Sequence, residues 1–112
     1  MKIVKREQDH IVIVEIEGSL SSEEKIAFER EINGILEREM NVILDLSKVT
    51  FIDSATLGSI VKYYALFHAR DRHLLLASVN PQIYEVMQLT GITQQVRLFE
   101  SPHGAIEFIR GT

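Results

Sequence analysis

Apolar positions along this chain switch between a strand-like and a helix-like spacing, and the switches mark out alternating elements. Residues 2–7 and 11–17 read as two strands, the second rich in β-branched side chains at Ile11, Val12, Ile13, Val14 and Ile16. Gln8-Asp9-His10 between them is short enough for a hairpin loop, and Glu17-Gly18-Ser19-Leu20 is expected to break the second strand. Phe28, Ile32, Ile35 and Leu36 then recur at helical spacing, which predicts a helix over 22–38. Ser21 and Glu24 have the form of a capping box at its start.

The run at 41–47 is almost continuously apolar, as expected of an interior strand buried on both faces. A helix is predicted over 54–70, with Leu57, Ile60, Val61, Tyr64 and His68 as its inner stripe. That placement leaves Tyr63 exposed, flanked by Ser59 and Lys62. A strand follows at 73–79. Asn80-Pro81 starts the next helix, Asn as cap and Pro in the first turn, with Ile83, Val86, Met87 and Thr90 along one side. Gly91 ends it in the left-handed region. A short strand at 96–99 and a helix at 103–110 complete the pattern. Strands alternating with helices predict a single α/β domain over residues 1–112, with a largely parallel sheet made mixed by the opening hairpin.

Composition narrows the function classes. With 112 residues, 46% apolar and 25% charged positions, the chain is an ordinary globular domain. A net charge of −4 argues against nucleic acid and anionic membrane surfaces as partners. It has no cysteine, hence no disulfide framework or thiolate metal site. No apolar run approaches the roughly 18 residues that span a bilayer. The N-terminus lacks the apolar stretch of a signal peptide, so the cytoplasm is the expected location. His10, His68, His73 and His103 show no ligand spacing, and neither a metal nor a cofactor is expected. Asp45 and Asp53 could act as paired carboxylates for acid–base or Mg²⁺ chemistry, but a strand-end acid and a helix-cap acid are the favoured reading. Neither G-x-x-x-x-G-K-[ST] nor G-x-S-x-G is present, so the domain is expected to bind rather than catalyse.

Ser54 is the most informative residue. It stands where the apolar strand hands over to a helix, and either it or Asp53 can cap that helix. An anion is also well received there, because first-turn N–H groups lack intrahelical partners and the dipole is positive.

The stretch Asp45-Leu46-Ser47-x-Val49-x-Phe51-Ile52-Asp53-Ser54-x-x-Leu57-Gly58 resembles the anti-sigma factor antagonist family, whose fold is the STAS domain. Gly18-x-Leu20 and Val86-Met87-Gln88-Leu89-Thr90-Gly91-Ile92 carry weaker matches, and the likeness runs from about residue 8 to 110. It implies that a partner serine kinase, itself the anti-sigma factor, phosphorylates Ser54. The unphosphorylated form would bind that kinase and free a sigma factor, and a serine phosphatase would restore it. The resemblance implies a docking surface of Gly18, Ser19, Leu20, Asp53, Ser54, Thr56, Leu57 and Ser59, in a bacterial phosphoprotein that controls transcription by partner switching. Thr56 departs from a frequent Gly, which would hinder close approach of a partner backbone. Ala55 replaces a frequent Ser or Thr, leaving Ser54 the better acceptor. STAS domains also serve as constitutive scaffolds or transport-complex subunits, the alternative reading; a small enzyme using Asp45 and Asp53 is a third.

Overall fold

The computed structural model describes residues 1–111. Its elements are β1 (Lys2–Gln8), β2 (Ile11–Leu20), a 3-10 turn (Ser22–Glu24) that runs into α1 (Lys25–Glu37), β3 (Asn41–Ile52), α2 (Ser54–Ala69), β4 (Leu74–Ala77), α3 (Pro81–Leu89), a second 3-10 turn (Ile92–Gln94), β5 (Leu98–Phe99) and α4 (Pro102–Arg110). The strands lie in sequence order in one sheet. β1 is antiparallel to β2, and every later pair is parallel. The hairpin turn is only Asp9 and His10, both left-handed at φ 49° and 63°; two such residues give a twist that matches the flanking strands.

Sequential parallel strands joined by right-handed crossovers carry their helices to one side of the sheet. α1, α2 and α3 accordingly share one face. Phe28, Ile32, Leu57, Ile60, Ile83 and Met87 pack there on Val12, Val14, Val42, Leu44, Leu74 and Leu76. α4 has no further strand to reach and covers the other face, where Ala105 and Ile106 meet Ile11, Ile13, Ile43, Leu75 and Ala77. Alternate residues of the central strands therefore face two different cores, which is why β3 and β4 read as continuous apolar runs.

Several boundaries differ from the sequence expectation. β2 does not break at Glu17 but continues to Leu20, beside a β3 that continues past Ser47 to Ile52. Two register irregularities, at Glu15/Glu17 and Gly18/Ser19, let the pair bend without parting. Gly18 supplies φ +98°, a value costly for any side chain. β4 is shorter than 73–79, because Ser78 turns left-handed at φ 54° and Asn80 already caps α3. β5 keeps only Leu98–Phe99 of 96–99. Gly91 is left-handed as expected, at φ 81°.

The inner stripe of α2 is also rotated. Tyr63 and Phe67 are buried, Tyr64 is only partly so, and His68 is exposed. The helix is apolar nearly all round, so two adjacent stripes satisfy the spacing. The stripe ending in Phe67 wins over the one ending in His68, since it buries a phenyl ring and leaves the imidazole in water.

Candidate functional site

The site lies where the ends of β2 and β3 run together, with Ser19 opposite Phe51 and Leu20 opposite Ile52. The parallel ladder between β3 and β4 stops at Asp45 and Ala77, so the tail of β3 needs other donors. Asn80 supplies them: its Nδ2 donates to Val49 O at 2.8 Å and, more weakly, to Leu46 O at 3.4 Å. The same side chain accepts the Ile83 N–H as N-cap of α3. One asparagine thus caps a helix and satisfies buried strand carbonyls.

Asp53 ends this tail in extended conformation, its backbone N–H donating to Leu20 O at 3.4 Å. Asp53 Oδ1 accepts both the N–H and the hydroxyl of Thr56, each at 3.0 Å. Asp53 Oδ2 accepts the Ser22 N–H at 2.6 Å. One carboxylate therefore caps α2 and receives a donor from the 3-10 turn that opens α1. The Thr56 N–H, against the cost of desolvation and helped by Ser22, holds the Asp53 carboxyl below the usual aspartate range. The capping box expected of Ser21 and Glu24 is not formed. Ser21 makes no side-chain cap bond; the Glu24 N–H that a capping box would use donates to the Ser21 backbone carbonyl at 2.9 Å in the 3-10 turn.

Ser54 is the first residue of α2, and it is exposed. The cap is Asp53, which settles the choice the sequence left open between the two residues.

The other candidates divide by burial. Gly18, Ser19 and Asp53 are partly exposed, while Leu20, Thr56, Leu57 and Ser59 are buried. The buried side chains line no surface, so the accessible part of the expected docking surface contracts to Gly18, Ser19, Asp53 and Ser54. Thr56 is fully buried with its hydroxyl turned in to Asp53, so its side chain is not at the surface. Ser59 does not flank an exposed Tyr63. Its hydroxyl donates to Glu29 Oε2 at 2.5 Å, tying α2 to α1. Lys62 Nζ lies 3.7 Å from the other oxygen of Glu29. The Ser59 hydroxyl, ahead of opposing desolvation and of Lys62, holds the Glu29 carboxyl below its ordinary range.

Asp45 accepts the Ser47 N–H at 3.0 Å, a local turn role. Among the described residues no group of three His, Asp or Glu side chains is placed to hold a metal ion. His10 sits in the hairpin turn, His68 lies in the last turn of α2, His73 meets Phe108 edge-on, and His103 pairs with Glu107 on α4. Among the described residues no helix is long and apolar enough to cross a membrane. Sequence reasoning missed Glu29 and the strand-bracing half of Asn80. It also missed the exposure of Phe51, 52%, and Ile26, 73%, beside the site. Ile26 alone carried a signal, being two residues out of phase with Phe28.

Residues 2–105 match the model of the STAS domain family, and the chain belongs to that family. Over 98 residues it is 21% identical to the anti-sigma F factor antagonist of Paenibacillus polymyxa, a match covering 86% of this chain and 84% of that one. A Thermotoga maritima protein described as a putative anti-sigma factor antagonist superposes with a TM-score of 0.88 at 25% identity, over 96% of this chain and 94% of that one. The Bacillus cell-fate determinant SpoIIAA, solved in its phosphorylated form, shares the fold with a TM-score of 0.73 at 15% identity, over 96% of this chain and 99% of that one.

Proposed function

We propose that this chain is an anti-sigma factor antagonist whose partner is an anti-sigma factor with serine kinase activity, and that Ser54 is the switch. The observation that carries the reading is the division of roles at the head of α2. Asp53 does the capping, so the Ser54 hydroxyl is left at the surface on the positive end of a helix. The family relationship supports it, and so does the existence of a phosphorylated form of a protein with this fold.

The chemistry belongs to the kinase. Ser54 Oγ attacks the γ-phosphorus of ATP, the bond to the bridging oxygen breaks with its electrons leaving on ADP, and the hydroxyl proton passes to a base of the kinase. The phosphate adds about −1.5 to −2 charge at neutral pH beside a carboxylate that is already ionised. A partner surface complementary to the unmodified site then meets like charge or loses a hydrogen bond. A serine phosphatase hydrolyses the ester and restores binding. The domain itself binds and does not catalyse, and it acts in the cytoplasm alongside these partners.

The test is intact-mass measurement and phosphosite mapping on protein incubated with ATP and lysate of its own cells, beside a Ser54→Ala control. One phosphate on Ser54, absent from the control, is expected, together with loss of kinase binding in Ser54→Asp. Phosphate elsewhere, or kinase binding unchanged by Ser54→Asp, overturns the proposal. Copurification with a membrane ATPase and no phosphate would mark the domain as a transport-complex subunit instead.

A further inference from the structure

Two ties hold the start of α1 against the start of α2. Asp53 accepts the Ser22 N–H at the head of the pair, and Ser59 donates to Glu29 further along. Between these ties α1 carries Ile26, and α2 carries Ser54, Ala55 and Gly58. Ile26 lies three residues before Glu29, hence on the same face of α1, the one turned towards α2. It is nonetheless 73% exposed. The core of α1 is complete without it, through Phe28, Ile32, Ile35 and Leu36. Gly58 is exposed, and a Cβ built on it meets no heavy atom within 4 Å. Ile26 and Gly58 are thus both open to solvent, and the Asp53–Ser22 bond joins the start of α1 to the residue that precedes Ser54. The border of this surface carries Glu23, Glu24, Glu29 and Asp53 against Lys25, Arg30 and Lys62, and Glu29 is already paired with Lys62, so the acidic excess lies at the Ser54 end, in Glu23, Glu24 and Asp53.

We propose that Ile26 is an apolar anchor of the docking surface at Ser54, received by an apolar pocket with a basic rim on the anti-sigma factor kinase. The inference rests on the function proposed above and extends that site from the head of α2 onto α1. The acidic border supplies the charge complementarity, since a basic rim can pair with Glu23, Glu24 and Asp53 while the pocket takes the side chain. An isoleucine that goes from mostly exposed to buried contributes about a tenfold gain in affinity or more. The two ties hold the backbone beneath it, so little ordering cost offsets that gain.

The experiment places the photo-crosslinker p-benzoylphenylalanine singly at Ser19, Ile26 and Leu89 of the full chain in its own cells. Leu89 on α3 is 81% exposed and serves as the control for a bare apolar site. The expected result is adducts from Ser19 and Ile26 to the same ATP-binding serine kinase, lost on Ser54→Asp, with none from Leu89. Adducts from Ser19 but not Ile26 overturn this inference and leave the docking reading standing. No kinase adduct from either position overturns both. With the captured kinase purified, Ile26→Ser is expected to weaken binding about tenfold with an unchanged melting curve. Undiminished affinity overturns the anchor.

Discussion

Removing one buried hydroxyl tests how the two helices at the site are held. Ser59→Ala deletes the donor to Glu29 and leaves the α1–α2 interface with a carboxylate that has lost its nearest partner. A hydrogen bond to a charged group contributes about 1.5–3 kcal/mol. The Glu29 side chain keeps 22% of its exposure, so water recovers part of the loss. Alanine also regains about 0.5 kcal/mol of helix propensity over serine. The expected net loss is about 1–2 kcal/mol, or about 4–8 °C in melting temperature for a domain of this size.

The loss should depend on pH. Ser59 is the main cause holding the Glu29 carboxyl below its ordinary range. A carboxyl held low in the folded state stabilises the fold above its unfolded pKa, and that stability disappears as pH falls through the folded value. The gap between wild type and Ser59→Ala should be full at neutral pH and narrow below about pH 4. Urea unfolding followed by circular dichroism at neutral pH and near pH 3 measures it. An equal gap at both pH values would refute the charge-assisted bond, and wild-type stability in Ser59→Ala would refute the tie altogether. A double-mutant cycle with Glu29→Gln should return a coupling of about 1 kcal/mol.

Asn80→Ala removes the α3 cap and the donor to Val49 O, and urea unfolding should report a loss of about 2 kcal/mol, roughly half from each. Asp53→Ala strips both helix starts of their shared acceptor; since that carboxyl is held low, melting should fall at neutral pH, and the acid-induced loss expected of wild type below the usual aspartate range should flatten. A melting curve identical to wild type at every pH would mean that Asp53 braces neither helix start. Thr56→Val keeps the backbone N–H on Asp53 and loses only an inward hydroxyl; it should lower stability modestly and leave the rate of phosphate incorporation at Ser54 unchanged.

The layers of the fold were readable because they rest on local spacing. Period-two and period-3.6 runs mark which face each element buries, and Asn80-Pro81 and Gly91 punctuate α3 with residues whose backbone chemistry is nearly unambiguous. The misreadings occur where a partner distant in sequence decides. Ser21 and Glu24 look like a capping box, but the Glu24 N–H closes on the Ser21 carbonyl in a 3-10 turn, and the Ser22 N–H finds its acceptor in Asp53, from the far end of β3. The strand expected at 41–47 runs on to Ile52 because the partners of its tail, Lys48 with Glu17 through Ile52 with Leu20, pair only after α1 has folded back. Ser59 looks like a surface hydroxyl because nothing in α2 announces Glu29. The motif position of Ser54 was legible, and so was its neighbour Asp53. That Leu20, Thr56, Leu57 and Ser59 support the site from beneath was not, since a motif records position and not the direction a side chain takes.

Side-chain direction also bears on selectivity. Within one turn the chain offers a carboxylate and two hydroxyls, at Asp53, Ser54 and Thr56. Asp53 has both oxygens engaged by protein donors. Thr56 donates its hydroxyl to that same carboxylate and has no exposed surface. Of the two hydroxyl residues, only Ser54 is exposed. On the proposed function, a kinase then needs no recognition of its own to choose Ser54 over Thr56, because the fold has already made the choice. Moving the cap to Asp53 also means that modifying Ser54 breaks no side-chain cap that holds α2. On the proposed function the phosphate would meet like charge from Asp53 but also the positive end of α2, which receives anions, so the helix keeps its cap while the partner interface takes the new charge.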